Sequence, residues 1–309
     1  MTLQQILYAL TISECGSMNK AAEKMFLSQP SLTNAIRELE KEVGITIFRR
    51  NGKGTLATAE GEEFLTYARQ LYQQYELLRG RYINPSEIKQ KFGVSSQHYS
   101  FAVKAFVETA KQFDMQKYKF AIREEKTAEV ISDVSTFKSE IGIIYTNEFN
   151  RKIIQKMLYE NELEFNPLIE CSAYVYIWKN HPLAKNKSIS FDDLSIYPCL
   201  SFEQGEGGSF YFAEEILSTN EYPREIKATD RSTMLNLMVG LNGYTLCSGI
   251  ICEELNGSDY IAVPYRSDSE NPNETMTIGY IKKKNSPLSK IGQTYIKELN
   301  KYLNDAAEK

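Results

Sequence analysis

The sequence has few of the residues on which catalysis and covalent bracing depend. It holds only two histidines in 309 residues, and its five cysteines (Cys15, Cys171, Cys199, Cys247, Cys252) include no CxxC pair. Neither set has the spacing of a metal site or a disulfide framework, so buried free thiols are expected. No nucleophile elbow, phosphate loop or dinucleotide fingerprint occurs. Gly205-Glu-Gly-Gly208 is a flexible loop with no Lys-Ser/Thr behind it. An enzyme on an α/β scaffold is therefore disfavoured, and no cofactor is implied. No apolar run is long enough to cross a bilayer. Met1-Thr-Leu-Gln-Gln lacks the basic region and cleavage site of a signal peptide, so a cytoplasmic chain with no membrane partner is expected. A net charge of −4 argues against wholesale non-specific nucleic-acid binding but leaves room for a local site.

What is present points to two or three soluble domains, with 42% hydrophobic and 25% charged residues. Between Ser17 and Thr58 two short helical patterns are separated by a tight break and followed by a basic hairpin. Ser17 and Ser28 are placed as N-caps, and Pro30 falls in the first turn of the second helix, where its missing N–H costs little. Leu32, Ile36, Leu39 and Val43 make one apolar stripe, and Gly44 stops the helix. Pro30, Asn34, Arg37 and Lys41 lie opposite, with Ser31 and Glu38 beside them. This order of parts is that of a winged helix-turn-helix, whose second helix enters the DNA major groove. Ser28, Gln29, Pro30, Ser31, Thr33 and Asn34 are candidates to reach base edges from the first two turns, and Arg37 and Lys41 are placed for phosphates. The Asn51-Gly52 turn carries Arg49, Arg50 and Lys53 with no acid, a cationic wing for the phosphate backbone. Residues 28–58 hold five cations against three acids, so DNA binding is expected to lean on specific contacts and oligomerisation, and to weaken with salt.

These residues carry a resemblance. Ser17, Ala21, Ala22, Ser28, Gln29, Pro30, Leu32, Ile36, Leu39, Glu40, Phe48 and Arg50 reproduce most of the N-terminal pattern of the LysR-type transcriptional regulators. Asn34 stands where members often have Arg, and Ile47 where they have Leu. The resemblance implies double-stranded DNA as partner, a homodimer or homotetramer, and contact with RNA polymerase if the protein activates.

Leu3, Ile6, Leu7 and Leu10 predict a first amphipathic helix over this head. A further helix starts at Thr58. In it Phe64, Ala68, Leu71, Tyr75 and Leu78 recur at steps of four and three, a heptad seam expected to dimerise, and Asn84-Pro85 ends it. From Lys89 strands are predicted near 91–94, 119–123, 141–145, 172–178, 197–201, 244–247, 260–263 and 275–281. Helices are predicted up to about Phe113 and over 127–138, 210–218, 233–241 and 288–303. Such alternation implies open, mainly parallel α/β sheets.

His181-Pro-Leu-Ala184 with Ile189 and Asp193-Leu194, and Val239-Gly-Leu-Asn-Gly-Tyr-Thr-Leu246, resemble segments of the same family's effector half, although a usual Gly-x-Gly-Ile is altered to Gly240, Gly243 and Tyr244. The likeness spans nearly the whole chain and is less motif-specific here than in the head. It implies a two-lobed α/β effector domain similar to periplasmic solute-binding proteins. The implied layout is 1–58 head, 59–87 linker helix and 88–309 effector domain, with lobe one at 88–162 and 267–309 and lobe two at 163–266. Ligands in open α/β sheets sit beyond strand carboxyl ends, beside helix N-termini. Candidate junctions are Ser95-Ser96-Gln97-His98, Thr127, Tyr145-Thr146, Ser201-Phe202 and Ser248, fit for a small anionic or amino-acid-like effector. Plain helix capping by Ser95 or Ser96 would account for the first equally well. His181, followed by Pro, is expected in a surface turn. The alternative function is a thiol-based redox regulator sensing through Cys199, although Cys171 and Cys247 lie 28 and 48 residues away in sequence.

Overall fold

The computed structural model describes residues 1–51, 54–82, 90–113, 118–205, 210–267 and 272–307. Gly52 and Lys53, the Arg50 side chain, Asn84-Pro85 and positions 206–208 of the glycine loop lie outside the described residues. The chain divides into two compact units, Met1–Ile88 and Lys89–Lys309.

The first unit runs α1 (Leu3–Cys15), α2 (Met18–Lys24), α3 (Gln29–Val43), β1 (Phe48–Asn51), β2 (Gly54–Ala57) and α4 (Ala59–Tyr82). A Thr2/Gln5 capping box opens α1, and Gly16, in the left-handed region, closes it. Ile6, Ala9, Leu10 and Ile12 are its buried side, whereas Leu3 is exposed. The α3 stripe packs as its spacing requires, with Leu32, Ile36 and Leu39 buried among Ala9, Ile12, Ala21, Ile47 and Leu65. Burying each such side chain contributes about 1.5–3 kcal/mol. Gly61, in the first turn of α4, crosses the chain at Ile47 so closely that a Cβ would stand 2.1 Å from the Ile47 carbonyl oxygen.

Among the described residues the second unit contains two larger sheets and a separate two-stranded pair. In the first, β3 (Gln90–Ser96) lies between β4 (Tyr118–Glu124) and β5 (Ile141–Thr146), both parallel to it, and β13 (Thr275–Lys283) and β6 (Leu163–Ser172) follow antiparallel, giving the order β4-β3-β5-β13-β6. Helices α5 (Ser100–Lys111), α6 (Thr127–Ser135), α7 (Arg151–Glu160) and α11 (Lys290–Ala307) belong to this lobe. The second sheet is ordered β11-β7-β12-β8, from β7 (Tyr174–Trp178), β8 (Ile189–Ser190), β11 (Thr245–Cys247) and β12 (Tyr260–Arg266). A parallel pair, β9 (Cys199–Phe202) and β10 (Glu225–Ala228), joins it through a Cys199–Tyr244 bridge. Helices α8 (Phe191–Leu194), α9 (Arg231–Leu241) and α10 (Glu253–Asn256) complete that lobe. Among the described residues no helix is long and apolar enough to cross a membrane.

Three expectations need correction. The sheets are mixed, because the chain returns from the second lobe as β13, antiparallel to both its neighbours. The lobe boundary expected at 162/163 falls before β6, which pairs with β13 along its whole length and keeps the chain in the first sheet to Ser172. Pro167 hides that strand in the sequence. It is tolerated because β6 is an edge strand and Pro167 faces Gly279 where the register shifts. The helix expected over 210–218 is only a single 3-10 turn, Phe210–Phe212, followed by an irregular segment whose residues Glu214 to Leu217 are buried.

Candidate nucleic-acid interface and inter-lobe cavity

The head presents the start of α3 outward. The Ser28 hydroxyl accepts the Ser31 N–H (3.2 Å) and lies 2.8 Å from Ser31 Oγ. Pro30, Ser31, Asn34, Arg37 and Lys41 are exposed, as is Arg49 on β1. Gln29 and Thr33 are half-buried, and Gln29 Nε2 donates to Thr33 Oγ1 (2.9 Å), so this pair is committed to the helix surface in the free protein. Glu40 is also committed: its Oε1 accepts from the Ile47 and Phe48 N–H groups (2.7 and 3.0 Å), which removes one acid from the outward face. The wing is fastened to the α1–α2 turn, since Thr55 N–H donates to Gly16 O (2.9 Å). Gly54, at φ 139°, passes so near that a Cβ would stand 2.6 Å from the same oxygen.

The expected seam on α4 divides. Ala68, only 4% exposed, is in the head's own core, with the half-buried Phe64 packed against it. Leu71 and Leu78 stand 43% and 60% exposed and Tyr75 is half-buried. Tyr67, one residue before Ala68, joins the exposed side at 59%.

In the second unit most of the predicted junction residues bond inward. Ser95 Oγ donates to Asp133 Oδ2 (2.6 Å) and meets Ser139 Oγ (2.9 Å). Ser96 Oγ donates to the Gln97 carbonyl (2.6 Å). Gln97 Nε2 donates to Thr127 Oγ1 (2.6 Å), and Gln97 Oε1 accepts from Tyr145 N–H and Tyr99 OH (3.1 Å each). Neither Ser95 nor Ser96 caps α5; its cap position, Tyr99, makes no side-chain cap bond. Ser201 Oγ donates to Glu225 across the β9–β10 pair (3.2 Å). Thr146 lines a separate hollow of about 470 Å³ beside Arg151, Lys152 and Glu170. His181 is buried rather than on a surface turn. Its Nε2 donates to Asn242 O (2.9 Å), its Nδ1 accepts the Leu183 N–H (3.1 Å), and burial lowers its pKa, keeping it neutral.

His98, Phe202 and Ser248 do come together, around a cavity of about 90 Å³. The His98 ring stacks on Phe202 at 3.7 Å between centroids and 7° between planes. Other residues meet them there that were not foreseen, among them Glu214, Glu215, Arg231 and Asn256. Glu214 Oε2 accepts from the His98 N–H and lies 2.8 Å from His98 Nδ1, and Glu214 Oε1 accepts from Gln204 Nε2 (2.9 Å). Burial, then the neighbouring Glu214 charge, raises the Glu215 pKa to about 8. Arg231 reaches across to Glu124 of the first lobe and donates to Asn256 Oδ1 (3.3 Å). Further bonds tie the lobes: Thr127 N–H to Gln204 Oε1 (3.2 Å), Thr127 Oγ1 to Phe212 O (2.7 Å), and Tyr145 OH to Glu215 O (3.1 Å). Two clues to these residues existed. The acids Glu214-Glu215 interrupt an aromatic and aliphatic run, and Arg231 puts a cation in the first turn of a helix, against its dipole.

Comparison with known proteins agrees with both units. Residues 3–62 match the bacterial regulatory helix-turn-helix protein model of the lysR family, and residues 96–303 match the LysR substrate binding domain. The regulator CysL of Bacillus subtilis is 28% identical over 218 residues, 68% of each chain. The Hca operon transcriptional activator HcaR of Escherichia coli is 27% identical over 261 residues, covering 81% of this chain and 82% of its own. Full-length OxyR from Pseudomonas aeruginosa superposes with a TM-score of 0.67 at 17% identity, over 98% of this chain and 95% of that one. CbnR in complex with its target DNA superposes at 0.58 and 15%, over 98% and 100%. At such identities the two superpositions speak for the fold alone. A head with an outward recognition helix and a two-lobed domain, each matched by its own model, make this chain a DNA-binding transcriptional regulator with an effector-binding domain, a member of the LysR family.

Proposed function

We propose that a small molecule bound between the two lobes changes the geometry of an oligomer of this chain, and with it the fit of paired heads to duplex DNA. The observation carrying this reading is the cavity at His98, Phe202, Glu214 and Arg231, lined from both lobes and bridged by bonds between them. A ligand there acts on the lobe arrangement only by binding its alternatives with different affinity. In the head, Ser31 and Asn34 read bases, with Ser28, Gln29, Pro30 and Thr33 shaping the approach, while Arg37, Lys41, Arg49, Arg50 and Lys53 hold phosphates. Two such heads read a pseudo-palindrome. The exposed Tyr67, Leu71 and Leu78 of α4 support self-association through that helix, as homodimer or homotetramer. The chain works in the cytoplasm, where its DNA is, and meets RNA polymerase if it activates. No catalytic role is proposed.

The test is a thermal-shift screen of the full chain against common metabolites, since a ligand specific for the native form raises its melting point. A hit that is abolished by His98→Ala supports the cavity. A hit indifferent to substitution at His98, Phe202 and Arg231 overturns it. The redox reading has a specific observation against it: Cys199 is buried, and burial together with the Glu215 charge pushes its thiol well above the usual range, away from the reactive thiolate. All five cysteines are free. Thiol titration before and after peroxide should therefore show no paired loss.

A further inference from the structure

The cavity is small for its proposed task. Pockets for organic ligands commonly run to roughly 300–1,000 Å³, against about 90 Å³ here. Glu214 helps to fill it. Its carboxylate takes three donors converging from two places: the backbone N–H and imidazole of His98, just ahead of α5, and the Gln204 amide, just after β9. A buried carboxylate is a costly way to fill space, and an apolar side chain of similar volume is often as stable or better. What it does is keep His98 and Gln204 arranged as a donor set shaped for any carboxylate.

We infer that Glu214 is an internal stand-in for the effector's carboxylate, and that an anionic effector binds by displacing it from His98 and Gln204. This rests on the proposal that the effector occupies the cavity, and it adds both a chemical class and a means of transmission. Exchanging one carboxylate for another leaves the His98 and Gln204 donors satisfied. Glu214, once displaced, returns to water. Its backbone does not move alone. The stretch from Phe212 to Glu215 offers Phe212 O to Thr127 and Glu215 O to Tyr145, both in the first lobe, while Glu215 Oε1 accepts the Phe202 N–H (2.7 Å) in the second. Displacement of Glu214 thus loosens the bonds that hold the lobes in register. A tethered occupant also competes as if present at high concentration. A carboxylate without Glu214's competition should bind at least about 10-fold tighter, because the donors are then free for a larger fraction of the time.

The test uses the full chain and acetate as probe, with chloride at equal ionic strength as control. Melting is followed by fluorescence of Trp178, the single tryptophan, which lies in the second lobe on β7. Glu214→Ala should melt below the wild type in chloride and recover part of the loss as acetate is added, while the wild type stays unmoved. Glu214→Gln, whose neutral amide keeps the space filled, should respond to acetate more weakly than the alanine variant and more than the wild type. If Glu214→Ala does not fold, Glu214→Gln carries the comparison with the wild type by itself. Equal responses in variant and wild type, or no response in any variant, would overturn the inference. A wild-type effector found outside the cavity would instead overturn the underlying reading and leave acetate recovery unaffected.

Discussion

Glu215 offers a quantitative check on how dry the lobe junction is. Its carboxyl is buried next to Glu214, and its pKa is raised from the usual 4.5 to about 8. A folded-state pKa above the unfolded one means that the native chain holds the proton more tightly. Stability is then fully present at low pH, falls as pH rises from about 4.5, and has lost this contribution once pH passes about 8. Each tenfold change in proton affinity is worth about 1.36 kcal/mol, so the displacement sets a ceiling of about 5 kcal/mol. Glu215→Gln removes the titration and keeps an oxygen for the Phe202 N–H. Local relaxation absorbs part of the ceiling, so we expect the variant to be about 1–3 kcal/mol more stable than the wild type near pH 9. Near pH 5 the two should be nearly equal. Urea unfolding followed by Trp178 fluorescence across this range measures the difference, in which titrating groups remote from Glu214 and Glu215 cancel. Curves for the two proteins that stay parallel from about pH 5 to about pH 9 would refute the reasoning.

Further outcomes are expected in the first unit. Arg49→Ala should weaken binding to a random-sequence duplex and flatten the salt dependence by about one phosphate contact, read by fluorescence anisotropy at several salt concentrations; Asn34→Ala should instead blunt discrimination among duplexes selected in vitro. Leu71→Asp combined with Leu78→Asp should lower the sedimenting mass with the head still folded, since both side chains are exposed, whereas Ala68→Asp in the head's core should unfold it. Gly61→Ala should destabilise the head by roughly 2 kcal/mol or more, because its Cβ would collide with the Ile47 carbonyl, and amide hydrogen exchange in α1 and α3 would register the loss.

Legibility in the sequence tracked how local the controlling forces are. The recognition helix was readable in full because its cap, its stripe and its terminating Gly44 lie within seventeen residues of one another and act through backbone geometry. The α4 seam divides along its length: the head's core takes Ala68 with Phe64 packed against it, while Leu71 and Leu78 of the same repeat stay exposed beside Tyr67. The cavity was least legible. Ser95 and Gln97 stand at a strand end as expected, but bond to Asp133, Ser139, Thr127 and Tyr145, tens of residues away. Conversely, Glu214 and Glu215 look like surface acids of a short helix, and donors from His98 and Phe202 help to satisfy them where they are buried. Pro167 disguised β6, because its position at an edge strand opposite Gly279 is a property of the assembled sheet.

The tie between Thr55 and the Gly16 carbonyl, with Glu40 clasping the chain at Ile47, leaves the reading head little freedom of its own. Under the proposed function, what an effector changes is then how far apart, and at what angle, two copies are presented, much as a pair of calipers is set at the joint and not at the tips.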